Sequence, residues 1–186
     1  MKENWKPGTL IYPLPAVLVS CGDAQHNNIF TVAWTGTICT NPAMLYISVR
    51  PERYSYELIR RNMEFTINLT TAAMARATDF CGVRSGRDMD KWHATGLHRY
   101  PGSAVSCPAV EESPISIECR VSRIIKLGSH DMFIAEVVNV LADSRYMDSE
   151  TGKFNLEDAG LLNYSHGGYF AQGDKLGTFG FSVKKK

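Results

Sequence analysis

Between residues 31 and 59 the sequence TVAWTGTICTNPAMLYISVRPERYSYELI gathers side chains with one chemical bias. Thr31, Thr35, Thr37 and Thr40 supply hydroxyls, Gly36 leaves the backbone bare, and Trp34 offers a flat apolar face. Farther along, Arg50 and Arg53 add fixed positive charge, and Ser55 stands where a helix begins. Hydroxyls and peptide N–H groups donate to ring heteroatoms, and the free N–H groups of a helix start favour an anion. Together they suit a planar ligand with an anionic tail. Each residue also has a purely structural use: threonine for strand propensity, Trp34 for the core, Ser55 as a cap.

A second group lies in 78-TDFCGVRSGRDMDKWHATG-96, where Gly82, Ser85 and Gly86 form a loop between two short helical stretches, flanked by Arg84, Arg87 and Lys91. Backbone N–H groups exposed in such a loop can cradle an anion, although lysines and arginines on loops are more often simply solvated. His130 marks a hairpin tip, and 160-GLLNYSHGGYFAQGDKLG-177 carries Tyr164, Tyr169 and Phe170 on an irregular segment suited to covering a ring or a partner subunit.

Other chemistries have no support. G-x-G-x-x-G after a strand, the P-loop signature, H-E-x-x-H and G-x-S-x-G are all absent, and the five histidines (His26, His93, His98, His130, His166) lack ligand spacing. A net charge of +1 argues against a nucleic-acid partner, and Lys184-Lys185-Lys186 reads as a solvated tail. No apolar run is long enough to span a bilayer. Cys21, Cys39, Cys81, Cys107 and Cys119 contain no CxxC and read as buried free thiols of a cytoplasmic protein, which leaves the N-x-[ST] matches at Asn68 and Asn163 without meaning as glycosylation sites.

The elements that must position these residues are mostly strands. A chain of 186 residues, 44% hydrophobic and 21% charged, fits one domain over 1–186. Period-two alternation marks 64–70, with Phe65, Ile67 and Leu69 inward, and 114–123, with Ile115, Ile117, Cys119 and Val121 on one face and Ser116, Glu118, Arg120 and Ser122 on the other. The more uniformly apolar 43–51 and 131–143 predict strands covered on both sides. Residues 15–23 and 29–34 predict one hairpin, and 114–127 with 131–143 a second, turning at Gly128-Ser129-His130. Short helices are expected from a Ser55 cap to about Asn62, from a Thr71 cap to about Phe80 with Gly82 beyond the end, and from an Asp88 cap to Thr95 with Gly96 as the stop. Many strands without a βαβ rhythm imply a closed antiparallel barrel with helices packed outside.

Taken in chain order, 27–59, 64–70, 79–92, 112–121, 128–137, 161–170 and 177–186 resemble the flavin reductase-like, FMN-binding split-barrel family, particularly its flavoredoxin-type branch. The resemblance implies a mainly β, Greek-key antiparallel split barrel with short flanking helices. It also implies non-covalent FMN in a groove completed by the second subunit of a homodimer. Position by position, it puts Asn28, Thr31 and Trp34-Thr35-Gly36-Thr37 along the isoalloxazine and ribityl chain. Ser55 becomes a phosphate or ribityl donor with Arg50 nearby. Cys81-Gly82 and Ser85-Gly86 become the loop near the flavin, Lys91 a basic FMN contact, His130 a flavin contact, and Tyr164 a packing aromatic where relatives can carry Phe.

The implied activity is an FMN-dependent oxidoreductase taking electrons from NAD(P)H or a redox-protein donor; the sequence offers no acid or base residue for it. Two alternatives stay open: an electron-transfer flavoprotein without direct NAD(P)H activity, and a barrel that has lost its cofactor and serves as a binding module.

Overall fold

A computed structural model describes residues 1–183; the terminal lysine run, and with it the end of the 177–186 match, lies outside the described residues. The elements follow in the order β1 Leu14–Pro15, β2 Val17–Gly22, β3 Asn27–Val32, β4 Thr35–Thr40, β5 Ala43–Val49, α1 Tyr54–Asn62, β6 Glu64–Asn68 and α2 Ala75–Val83. Then come α3 Lys91–Thr95, β7 Arg99–Tyr100, β8 Ala109–Val110, β9 Ile115–Lys126, β10 Asp131–Ala142, β11 Leu162–Ser165 and β12 Gly168–Ala171. Seven strands form one antiparallel sheet in the order β3-β2-β6-β9-β10-β5-β4. Both expected hairpins are present, β2 with β3 and β9 with β10. A small sheet, β1-β11-β12, brings the C-terminal hairpin back beside the N-terminal segment.

The ladder does not close. Its edges are β3 and β4, consecutive in the chain and joined through Ala33 and Trp34. The barrel is therefore split there, which corrects the expectation of a closed one.

Inside, Val19, Phe30, Ile47, Phe65, Cys119 and Phe133 are among the residues of one apolar cluster, to which α1 contributes Tyr56 and Ile59. That helix faces the barrel interior. Only α2 and α3 match the expectation of helices outside: Cys81 and Trp92 pack with Leu18 and Ile29, from the opposite faces of β2 and β3, in a second cluster. Because β2 lies between two apolar layers, all six of its residues are buried. By contrast β5 alternates, with Leu45, Ile47 and Val49 buried and Met44, Tyr46 and Ser48 only partly so, so the two-sided cover expected for it is incomplete.

The polar face of β6 and β9 is covered too. Asn68 Nδ2 donates to Leu18 O at 3.0 Å and Ser20 Oγ at 3.1 Å, while its Oδ1 accepts from Val110 N at 2.9 Å and Ser116 Oγ at 2.7 Å. Glu118, fully buried, accepts from Ser103 N, Ala104 N and Asn139 Nδ2. Buried polar groups need such partners, and here they fasten the 101–113 segment over the sheet.

Helix starts differ from the sequence reading. Arg53, not Ser55, holds the cap position of α1, and neither it nor Thr71 makes a side-chain cap bond. The 71–83 region begins as a 3-10 turn, and α2 runs through Gly82 to Val83 rather than stopping before it. Asp90 replaces Asp88 as the cap of α3, accepting from Trp92 N and His93 N; Gly96 ends that helix at φ 69° as expected. All five cysteines are free thiols and four are buried, Cys39 being the exception. Among the described residues no helix is long and apolar enough to cross a membrane.

Candidate functional site

Two concavities meet beside the split. The first, about 540 Å³, is walled by Thr31 and Trp34, by Asp79 and Gly82 of α2, by His130 on the β9–β10 tip, and by Tyr164 and Tyr169 of the C-terminal hairpin. The second, about 410 Å³, is walled by Asn28, Ser55, Ser85, Gly86, Arg87 and Lys91. Phe30, Arg50, Arg53 and Val83 line both, so the two form one cleft with distinct ends.

The second end is built for negative charge. The Lys91 side chain is 2% exposed, and its Nζ donates to Cys81 O at 3.0 Å and Arg84 O at 3.2 Å. Both acceptors are neutral, and no carboxylate pairs with it in the ion pairs of the described residues. Burial pulls its pKa below the usual lysine value. A buried ammonium is costly until it meets an anion. Asn28 Nδ2 donates to Ser55 Oγ at 2.7 Å, which sets that hydroxyl to act as donor in its next bond. Ser55 lies in the first turn of α1, where backbone N–H groups lack helical acceptors. Gly86 is required by contact: a Cβ there would fall 2.2 Å from Asn28 Oδ1 and 2.9 Å from the Tyr54 ring.

The first end is flat and aromatic. Trp34 is 37% exposed, so it is a cleft wall rather than core, and its ring lies 4.4 Å from that of His130. Burial, then the charge of Arg50, hold the His130 pKa below its ordinary value, which favours the neutral ring. Tyr164 meets Tyr169 edge to face at 5.4 Å. Thr31 Oγ1 is bonded to Thr78 O, tying β3 to α2.

Of the residues singled out in the sequence, Thr31, Trp34, Gly82, His130 and Tyr164 line the aromatic end. Asn28, Ser55, Ser85, Gly86 and Lys91 line the anion end, and Arg50 lines both. Thr35, Gly36, Thr37 and Cys81 line neither in a single chain. Thr35 Oγ1 donates to Tyr46 O at 2.6 Å, Gly36 sits against the Tyr46 ring, and Thr37 is exposed on the β4 edge. The Cys81 thiol is buried in the outer cluster, where burial pushes its pKa up to about 11; only its carbonyl reaches Lys91. That environment opposes a reactive thiolate. Asp79 was not anticipated. The spacing Asp79-Gly82-Val83 puts all three on one helical face, a signal visible once α2 is extended through Gly82. No cluster of metal-ligating side chains occurs among the described residues.

Residues 9–172 match the flavin reductase like domain. The flavoredoxin of Desulfovibrio vulgaris (Miyazaki F) is similar over 100% of both chains, with 31% identity and a TM-score of 0.89. Flavoredoxin from Methanosarcina acetivorans has 25% identity and a TM-score of 0.90, covering 99% of this chain and 98% of that one. YddH of Escherichia coli strain K12 is 29% identical over 170 residues, covering 89% of this chain and 90% of its own. The chain belongs to the flavin reductase-like family of FMN-binding split barrels, a flavin-binding oxidoreductase fold, on its flavoredoxin-type side.

Proposed function

We propose that the two-ended cleft binds FMN and that the chain works as an oxidoreductase, moving electrons from NAD(P)H or a redox-protein donor to an acceptor. Lys91 carries the reading: a buried cation with no anionic partner among the described residues, lining the end of a cleft whose other end is aromatic. The fit is good on both counts. Lys91, Arg50, Arg53 and Ser55 would hold the phosphate, and Thr31, Trp34, His130 and Tyr164 would hold the ring. Bound there, FMN supplies hydride and single-electron chemistry that protein side chains lack. The side chains bind, orient and exclude water: the cations balance the phosphate charge, and the neutral His130 ring packs on Trp34 without adding a further cation to Arg50 and Arg53 beside the flavin.

The homodimer and a cytoplasmic setting belong to the same proposal, with the chain acting as one domain. The β4 residues Thr35 and Thr37, outside the cleft of one chain, would serve the site when a second copy covers that edge. Exposed apolar side chains, including Ile38, Phe179 and Phe181, suit such cover. Free thiols, four of them buried, suit a reducing compartment.

The full-length likeness to the Desulfovibrio flavoredoxin favours a second reading, electron transfer between proteins without direct reaction with NAD(P)H. Stopped-flow mixing of FMN-loaded protein with NADH and NADPH decides between them. Bleaching of the flavin within seconds supports the reductase; no bleaching, with rapid reduction by a protein donor, supports the carrier. A protein that stays colourless after soaking in FMN would end both readings and leave a binding module.

A further inference from the structure

The inner face of the barrel holds one polar bond among apolar neighbours. Tyr56 Oη donates to Asp131 Oδ2 at 2.6 Å, and both residues are buried. The Tyr56 ring also meets Phe133 edge to face, with centroids 5.4 Å apart. The Asp131 carboxylate, then burial, push Tyr56 above its ordinary pKa, so the hydroxyl keeps its proton and stays the donor. Asp131 joins no ion pair among the described residues. Apolar side chains of similar shape commonly serve stability as well as such a buried pair does, so packing alone does not call for it.

The sequence neighbours of the pair all belong to the cleft. Tyr56 follows Ser55, which lines the anion end and accepts from Asn28. Asp131 follows His130, whose ring stands 4.4 Å from Trp34 at the aromatic end. Across the ladder Asp131 pairs with Val49, which precedes Arg50, and Arg50 lines both ends. Ser48 N donates to Trp34 O at 2.9 Å, so the same end of β5 also carries the Trp34 wall. From this arrangement we infer that Tyr56 and Asp131 form a positioning pair, which fixes the spacing between Ser55 at the anion end and His130 at the aromatic end. Neither member lines the cleft itself. The inference rests on the FMN reading and says what sets the specificity of that site. A ligand long enough to touch both ends needs them in register, whereas a ring alone can follow the one end it occupies. The pair therefore selects flavins that carry a phosphate over the bare ring.

The test compares FMN with lumiflavin, the same ring without ribityl chain or phosphate, by fluorescence titration of the flavin-free full chain. The parent should bind FMN more tightly. Tyr56→Phe keeps the ring on Phe133 and removes the hydroxyl; it should weaken FMN about fivefold more than lumiflavin, the scale of one hydrogen bond. In the same variant without flavin, the NMR signals of the His130 ring, displaced by the Trp34 ring beside it, should move towards those of an exposed histidine. Asp131→Asn, which still offers Tyr56 an acceptor, should recover most of the FMN preference. Tyr56→Phe combined with Asp131→Leu orphans no polar group, so it should unfold near the parent temperature and yet keep the loss of preference, which separates position from stability. Equal losses for the two flavins in Tyr56→Phe, an unmoved His130 signal, or a double variant with the parent's preference would overturn the inference and leave the cofactor reading standing. A parent that does not bind FMN removes both together.

Discussion

Lys91 is the residue on which the anion end turns, and its energetics make opposite demands on the empty and loaded protein. Without an anion the buried ammonium is held by two carbonyls only, and burial lowers its pKa. Lys91→Met should leave the FMN-free protein at least as stable in a thermal melt at neutral pH, because a buried charge is replaced by a side chain of similar length. The same change should weaken FMN binding by about 10- to 100-fold, the range of one charge-assisted bond of about 1.5–3 kcal/mol. Riboflavin, which has no phosphate, should lose far less. Fluorescence titration of both flavins checks this, and equal losses would show that Lys91 does not read the phosphate. From sequence, Lys91 was one cation among several around a glycine loop. Its burial depends on Trp92 and Cys81 packing against Leu18 and Ile29, contacts too distant along the chain for spacing to reveal; the family resemblance, not the local pattern, singled it out.

At the scale of elements, alternation located the strands and their apolar faces but misjudged what covers the polar ones. Glu118 and Ser116 fall on the polar side of β9 by period two, yet both are buried, because the 101–113 segment folds over them. Such a segment has no periodic signature; it is held by hydrogen bonds to side chains rather than by a pattern of its own. Glu118→Ala should therefore orphan the Ser103 and Ala104 amides and the Asn139 amide group, costing about 3 kcal/mol or more in urea unfolding, as loss of a buried charged acceptor does. Glu118→Gln, which keeps one carbonyl acceptor, should cost less. Fast amide exchange at Ser103 and Ala104 in the alanine variant would tie the loss to that segment, and unchanged exchange would count against it. The helix caps depart from the sequence pattern for a related reason. Asp88 and Asp90 are equally good candidates by composition, and only the path of the loop gives Asp90 the bonds to Trp92 N and His93 N. Ser55 fits a cap by type, but Asn28, distant in sequence, engages its hydroxyl.

The molecule as a whole is an open barrel with one apolar cluster inside and a second outside β2 and β3, and its thiols report on both. Cys21 and Cys119 belong to the inner cluster, Cys81 to the outer, and Cys107 lies beside Thr66 on the covered face of the sheet. Burial raises each above the ordinary 9.0: Cys81 to about 11, Cys21 and Cys107 to about 12, and Cys119 further. The unfolded chain thus releases these protons at lower pH than the folded one. Below about pH 9 the thiols are protonated in both states and their contribution is complete; as pH rises toward the folded values, stability is lost. Tyr56 and Tyr169, also raised, add to the loss at the upper end, whereas Lys91, lowered, works against it as a single group. The midpoint of thermal unfolding should fall steeply between about pH 9 and pH 11, under reducing conditions that exclude oxidation. Replacing Cys107 and Cys119 together by alanine should lower stability at neutral pH through lost packing and yet flatten that alkaline slope. A slope unchanged by the double substitution would mean that water reaches both thiols, Cys119 inside the barrel and Cys107 on the covered face beside Thr66, and that neither is held above its ordinary value.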